Sequence, residues 1–445
     1  MAPLTPLEEH FVSLLARRKT RSLLRRIEDA PPPSVADFTS NDYLSLSSHP
    51  EITQNYLSYL TSAFAHSQTQ PQTQTPSPLT LGSTGSRLLS GHHPLAAHLE
   101  TLIPAHHNAP AGLLFTSGYD ANAALLSTLP QPGDAVLYDA LVHASAHDGM
   151  RLSRVAATNG LRRFAHNDPA ALAAALRRLV DEDAAFAAGS RNVFVVVEAV
   201  YSMDGDVAAL RQMLDVVDAA LPAGNGYVVV DEAHATGVVG RGGRGLVCAE
   251  GLESRVFARV VTFGKAVGAA GAIVLCTPPT KQYLINYARP FIYTTAPSFP
   301  SLAAIKVVYD FLIARRADPL VAHLRHLHAT LSSSLVALVA ALAPPPRLLS
   351  LSLPELPPFP SPHVTPIVPI FTQHPRALAA FVRTRGFVVR PIVAPTVPRG
   401  TERVRVCLHA GNSVEEVEGL VRAVGEWVRE RLKREGEKEG ERARL

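Results

Sequence analysis

The chain has 445 residues, 47% of them hydrophobic, enough to bury a large core and to form two or three domains. Its formal charge of +4 and sequence pI of about 9.0 rest on basic residues that alternate with acids or core leucines near the two ends, so charge makes no case for nucleic-acid binding. No apolar run of about 18 residues predicts a membrane span, Glu8, Glu9 and His10 ahead of the short run 11–15 argue against a secretory signal, and the widely spaced Cys248, Cys276 and Cys407 read as small core residues in a reducing compartment, without a metal pattern.

In chain order, residues 8–29 predict an amphipathic helix, followed by a proline-rich break at 31–33 and the turn Thr39-Ser40-Asn41-Asp42-Tyr43. Residues 66–78 are Gln, Thr, Ser and Pro with almost nothing to bury, so a mobile surface loop is expected there. From about residue 95 to 276, β-branched runs alternate with alanine- and leucine-rich helical stretches; the candidate strands are 135–138, 193–198, 227–231, 260–263 and 272–276. One intervening helix is well marked, with Asp168 as cap, Pro169 in the first turn and Leu172, Leu176 and Leu179 on one face. Strand and helix in alternation predict an α/β fold, a parallel sheet covered on both sides. A second proline-rich break, 343–363, reads as a loop. Beyond it come a strand at 404–408 and a helix opened by the capping box Ser413 and Glu416, with Val417, Leu420, Val421, Val424 and Val428 on its buried face. Residues 433–445 are nearly all charged or glycine and are expected to be disordered.

Several strand ends carry residues suited to chemistry. Thr262-Phe263-Gly264-Lys265 leaves a buried strand for the turn Gly268-Ala269-Ala270-Gly271. A desolvated lysine there has a lowered pKa and can form an imine with a bound aldehyde; a solvated charge is the plainer alternative. Val230-Asp231-Glu232-Ala233-His234 delivers an acid and then a histidine at a strand's carboxyl end, where ligands bind in parallel sheets. Asp231 can hold a pyridine nitrogen protonated and His234 can reach a phenolic oxygen; an acid paired with a surface base explains the segment equally well. Thr116-Ser117-Gly118-Tyr119 breaks into a helix whose first amides can take a phosphate. His143, just past another strand, can lie flat on a ring or be structural, and Ser202, in Tyr201-Ser202-Met203-Asp204-Gly205-Asp206, is a further donor at a strand end. The order of these residues along the chain matches a single cofactor.

Longer blocks carry a resemblance. Ser40-Asn41-Asp42-Tyr43-Leu44, Gly82-Ser83-Thr84-Gly85-Ser86-Arg87, Ser90-Gly91-His92, the Tyr201–Asp206 and Asp231–Gly237 segments and Phe291-Ile292-Tyr293-Thr294-Thr295 together resemble the α-oxoamine synthases of the pyridoxal-phosphate (PLP) fold type I superfamily. The likeness spans nearly the whole chain up to Arg403-Val404-Arg405, interrupted by the two low-complexity inserts. It implies an entry segment (1–50), a large PLP-binding domain with a mainly parallel seven-stranded sheet (51–297), a smaller α+β domain (298–432) and a charged tail (433–445).

The resemblance is nearest to the 8-amino-7-oxononanoate synthase branch, which condenses L-alanine with pimeloyl-CoA in biotin biosynthesis, on the strength of Val260-Val261-Thr262-Phe263-Gly264-Lys265, Arg162-Arg163-Phe164-Ala165-His166-Asn167-Asp168 and Pro395-Thr396-Val397-Pro398. It implies that Lys265 is the Schiff-base lysine, Asp231 the pyridinium partner and His143 the stacking histidine. Ser202, His234 and Thr262 become polar cofactor contacts, Gly118 and Tyr119 the phosphate-binding amides, and Arg405 the holder of the amino-acid carboxylate. Asn41, Arg390 and Thr396 fall at substrate-binding positions, and Tyr293, Thr294 and Thr295 in a stretch that reaches the neighbouring subunit of a homodimer. One departure stands out: Ile392-Val393-Ala394-Pro395 has Val393 where this branch carries an arginine near the far carboxylate of pimeloyl, leaving Arg390 as the nearby substitute. Rival readings are an α-oxoamine synthase for glycine, serine or a longer acyl-CoA, a non-catalytic partner subunit, which the joint presence of Lys265, Asp231 and His143 opposes, and a transaminase. Finally, Ala443-Arg444-Leu445 resembles the tripeptide read by the peroxisomal import receptor, which implies a peroxisomal location; a merely solubilising tail on a cytoplasmic enzyme is the alternative.

Overall fold

A computed structural model describes residues 4–21, 23–27, 32, 34–69, 81–353 and 361–442. The expected address 443–445 and most of the expected loop at 66–78 lie outside these residues. Residues 1–35 form a unit of their own. Its helix, Pro6–Thr20, opens with a capping box in which Glu8 accepts from the Thr5 amide at 2.7 Å, and Arg17, Arg18 and Lys19 fall in its last turn, where the helix dipole favours cations. It is shorter than the predicted 8–29 and buries none of its side chains, so no packed apolar face extends it.

In the second unit, seven strands make the main sheet: β1 (Ala111–Phe115), β2 (Ala135–Asp139), β3 (Leu161–Phe164), β4 (Val193–Glu198), β5 (Gly226–Asp231), β6 (Ala258–Thr262) and β7 (Ala272–Cys276), in the spatial order β1-β7-β6-β5-β4-β2-β3. β2 to β6 run parallel, as the continuous valine runs of β4 and β5 require for strands covered on both faces. β7 is antiparallel to both neighbours, which corrects the expectation of a parallel strand there. The nine residues 263–271 are too few for a parallel crossover, which takes roughly a dozen or more.

The helices Pro169–Glu182 and Leu210–Ala220 bury Leu172, Leu176, Met213 and Leu214 on one face of the sheet with Val195, Val197 and Val228. Leu125 and Ala146, from Gly118–Thr128 and Ala144–Leu152, cover the other face with Phe194, Val196 and Val229. Truncating Leu176, which is fully buried, to alanine costs about 2–5 kcal/mol by the usual core values.

A smaller antiparallel sheet holds β8 (Ile367–Phe371), β9 (Arg390–Ile392) and β10 (Arg403–Cys407) in the order β9-β10-β8, with Arg390 directly opposite Arg405. Residues 36–38 are laid against this region: Ala36–Asp37 pairs in parallel with Phe387–Val388, and the Cys407 amide donates to Phe38 O at 2.8 Å. That seam fixes the following turn, residues 39–43.

The C-terminal helix, Val414–Arg442, starts as predicted: Glu416 accepts from the Ser413 amide and the Ser413 hydroxyl accepts from the Glu416 amide, both at 3.1 Å. It continues through 433–442, which corrects the expected disorder of that segment. Regular spacing of Glu and Arg explains the extension, with Arg434 3.5 Å from Glu430 one turn earlier and Arg347 3.3 Å from Glu435. Residues 66–69, expected as loop, close the helix Pro50–Thr69. In the 343–363 break, Ala343 ends the helix Asp318–Leu342 in the left-handed region (φ +41°), Ser350 bridges to Phe371, and residues 354–360 lie outside the described chain. No described helix is long and apolar enough to cross a membrane.

Candidate active site

The carboxyl ends of β4, β5 and β6 lie side by side, with Glu198 in register with Asp231 and Asp231 in register with Val260. Asp231 is half-buried and held from two sides: the Ala233 amide donates to Oδ1 at 2.9 Å and Asn122 Nδ2 to Oδ2 at 2.7 Å. Asn122 also donates to Ser145 Oγ at 3.0 Å, and that hydroxyl lies 2.8 Å from His143 Nδ1. The chain thus ties the acid to the histidine through two neutral groups. His143 caps the helix Ala144–Leu152, which fixes its position while its ring stays accessible, and its pKa is lowered chiefly by partial burial.

Lys265 follows β6 in a turn that needs glycine at 268 and 271. Both have left-handed φ (+66° and +112°), and a Cβ on Gly268 would sit 2.6 Å from the Ser47 amide. The amine is 2.7 Å from His234 Nε2. Burial lowers its pKa to about 8, against the opposing pull of Asp231 and Glu198 and with a small further push from Arg405. On the far side of the imidazole, Nδ1 is 2.6 Å from the Tyr43 hydroxyl. That hydroxyl donates to Asn41 Oδ1 at 3.2 Å and accepts from Arg405 Nη2 at 3.3 Å, while Arg405 Nη2 also reaches Asn41 Oδ1 at 3.1 Å. Burial, aided by Lys265, Arg405 and His143, pushes the His234 pKa well down, and burial pushes that of Tyr43 up, so both stay neutral. An unbroken hydrogen-bonded chain therefore runs from Arg405 through Tyr43 and His234 to Lys265.

Gly118 opens the helix Gly118–Thr128, whose Ser117 cap accepts from the Asp120 amide at 3.0 Å. A Cβ on Gly118 would come within 3.1 Å of Thr262 Oγ1, so glycine is what lets the helix start approach the end of β6. Tyr119 is exposed, with its hydroxyl on Asp148. Ser202 is half-buried in the turn after β4 and makes no side-chain hydrogen bond among the described residues. That turn is clamped by His166, whose Nδ1 lies 2.9 Å from Asp139 and whose Nε2 lies 3.0 Å from Asp206. Against the pull of burial, those two hydrogen bonds raise the His166 pKa to about 10.

The structure thus gathers Asn41, Gly118, His143, Asp231, His234, Thr262, Lys265 and Arg405 in one region. It leaves Tyr293 and Thr295 exposed and Thr294 half-buried, with no hydrogen bond from them to the Lys265 cluster among the described residues. Thr396 is exposed in the turn after β9, and Arg390 is exposed opposite Arg405.

Sequence reasoning missed Asn122, Ser145, Tyr43 as a link to the lysine, and Glu198. Glu198 ends the valine run of β4 as Asp231 ends that of β5, and the same rule finds it. It is 3% exposed, Oε1 has no partner among the described residues, and burial followed by the nearby Asp231 raises its pKa well above the carboxylate range. No group of three or more His, Cys, Asp and Glu among the described residues is placed to hold a metal.

The donor set suits pyridoxal phosphate: a buried amine near neutrality, a carboxylate fixed at a strand end, and amides at a helix start reached through glycine. Arg405 adds a buried Nε without a partner among the described residues, as a carboxylate-binding guanidinium presents.

The aminotransferase class I and II family model matches residues 33–424. An 8-amino-7-oxononanoate synthase of Emericella nidulans is 46% identical over 415 residues, 93% of this chain and 94% of the relative. An aminoacyl transferase sphA of Aspergillus fumigatus is 37% identical over 428 residues, 94% of this chain and 87% of the relative. Among solved structures, Sphingomonas wittichii serine palmitoyltransferase shares the fold with a TM-score of 0.76 at 24% identity, covering 95% of this chain and 98% of that one. With its mainly parallel seven-stranded sheet and its lysine, aspartate and glycine-opened helix at the strand ends, the chain belongs to the α-oxoamine synthases, PLP-dependent acyltransferases of fold type I within the aminotransferase class I and II family.

Proposed function

We propose that the enzyme joins L-alanine to pimeloyl-CoA, releasing CoA and carbon dioxide and giving 8-amino-7-oxononanoate. The observation that carries a decarboxylative acyl transfer is Arg405, a buried guanidinium with an unpartnered Nε, at one end of a hydrogen-bonded chain whose other end is the Lys265 amine. The 46% identity to the Emericella nidulans synthase along 94% of its length supports the particular substrates.

When bound, the cofactor supplies an electron sink for charge developing at Cα. Arg405 grips the amino-acid carboxylate and so orients the Cα bonds. Lys265, able to shed its proton near neutrality, takes the Cα proton, and Asp231 holds a proton at the pyridine nitrogen. The amides of Gly118 and Tyr119 would hold the cofactor's phosphate, His143 would contact its ring, and Ser202, His234 and Thr262 would supply polar contacts. The balance is three bonds broken, Cα–H, the thioester C–S and Cα–carboxylate, and three formed, Cα–acyl, the S–H of the released CoA and a new Cα–H after carbon dioxide leaves. Arg390 serves the distal carboxylate of pimeloyl in place of the arginine missing at Val393. Two copies of the chain share their sites, with Tyr293, Thr294 and Thr295 of each serving the other, which accounts for the exposed Tyr293.

A second reading, a longer and simpler acyl chain, is favoured by Val393 and by the sphA relative. Measuring CoA release with alanine, glycine and serine against pimeloyl-CoA and palmitoyl-CoA separates the two. Preference for alanine with pimeloyl-CoA supports the proposal, and preference for serine with palmitoyl-CoA overturns it.

A further inference from the structure

Away from the Lys265 cluster, a recess of about 490 Å³ opens between the glycine-rich loop 240–245 and the helix Asp318–Leu342, and Arg241, Arg244, Arg315 and Arg325 all line it. Arg315 is committed to Asp318, with Nε 3.0 Å from Oδ1. Among the described residues the other three arginines form no ion pair, and Asp318 is the one acid in the lining. Four guanidiniums against one carboxylate leave a local excess of three positive charges. The histidines nearby feel that field. Burial lowers the pKa of His106 against the hydrogen bond to Gly242, with Arg244 and Arg315 adding to the lowering, and burial followed by Arg325 lowers that of His363, a lining residue whose Nε2 stands 3.9 Å from Glu250. Arg244 and Arg315 are half-buried at the recess, and Arg241 and Arg325 are exposed at its rim.

The loop's backbone conformation calls for glycine. Gly240, Gly242, Gly243 and Gly245 all have left-handed φ, between +66° and +86°. At Gly242 a Cβ would meet Arg315 Cδ and His106 Cε1 at 3.5 Å each, and the carbonyl of Gly242 is 3.1 Å from His106 Nε2. Just after the loop, both carboxylate oxygens of buried Glu232 accept amides, from Leu246 and Val247 at 2.9 Å each, which ties the end of the loop to the residue next to Asp231. None of the residues assigned to the acyl-transfer site lines this recess.

We propose that the recess is a binding site for a multiply charged phosphate anion. A single carboxylate offsets one of three uncompensated charges, whereas a diphosphate offsets two or three, and guanidinium forks match phosphate oxygens bidentately. The anion is either free or borne on a nucleotide, and the shared recognition element is the diphosphate.

The test is calorimetric titration of the PLP-loaded holoenzyme, so that the cofactor's own phosphate site is filled, with inorganic pyrophosphate and separately with ADP. Saturable binding that weakens as salt rises is expected. Arg241→Ser combined with Arg325→Ser should weaken it at least tenfold while turnover and cofactor content stay unchanged. ADP binding tenfold tighter than pyrophosphate identifies a nucleotide as the source, and equal affinities identify the free anion. If neither probe binds, or the double variant binds both like wild type, the site does not exist. Arg325→Glu guards against a silent pair of substitutions: it must abolish binding, and retained affinity overturns the proposal equally.

Discussion

The lowered pKa of Lys265 makes a kinetic prediction that needs no acyl substrate. Covalent capture of the cofactor's aldehyde requires the neutral amine. With a pKa of about 8 in place of 10.5, the neutral fraction at pH 7 is roughly a tenth, against roughly one part in three thousand for an ordinary lysine, a gain of roughly 300-fold. Stopped-flow absorbance of PLP added to the cofactor-free enzyme between pH 7 and 10 reads the capture rate directly. Its logarithm should climb with unit slope to about pH 8 and then level off. Asp231→Asn removes the largest attraction favouring the charged amine and should move the break to lower pH, whereas Arg405→Leu should move it to higher pH. A unit slope that persists past pH 9.5 in wild type would refute the claim that burial tunes this amine.

Asp231→Asn should also cost turnover about 100-fold, from the loss of a charge-stabilising contact worth about 3 kcal/mol, with the fold retained by circular dichroism. His166 titrates with a raised pKa, so its contribution to stability is complete below its ordinary 6.5 and fades as pH rises through about 10. Urea denaturation of His166→Gln against wild type should therefore show a deficit on the order of 3–5 kcal/mol at pH 6 that shrinks towards pH 10, and a pH-independent deficit would place the effect in packing. Arg390→Ala should raise KM for pimeloyl-CoA about tenfold and leave that for a simple fatty acyl-CoA unchanged; equal changes in both would remove Arg390 from carboxylate recognition.

Asp231 and Lys265 stood out as charges at the ends of apolar strands, each with a plain structural explanation, and it was their order along the chain with Gly118 and His143 that pointed to one cofactor. Asn122 did not stand out, because a single amide among alanines and leucines looks like an ordinary helix residue until the fold sets it 2.7 Å from an acid distant in sequence. The direction of β7 was readable from its short connection, but the strand pattern alone is blind to direction. Arg405 entered through resemblance, and its unpartnered Nε became visible only when β10 and residues 36–38 were brought together. The continuation of the C-terminal helix was missed because composition was weighed there and the spacing of Glu430 and Arg434 was not.

The chain of hydrogen bonds from Arg405 to Lys265 has a thermodynamic consequence. With the amine protonated, it donates to His234 Nε2, so the imidazole carries its hydrogen on Nδ1 and donates to Tyr43. With the amine neutral, the imidazole can turn its hydrogen towards the lysine, and the Tyr43 hydroxyl then donates to Nδ1 in place of Asn41. An amino acid that draws Arg405 onto its carboxylate changes what Tyr43 accepts, and so changes which of these two states is preferred. Proton affinity at one end and substrate affinity at the other are therefore reciprocal: whatever factor the substrate imposes on the lysine's protonation, the lysine's protonation imposes on the substrate's binding.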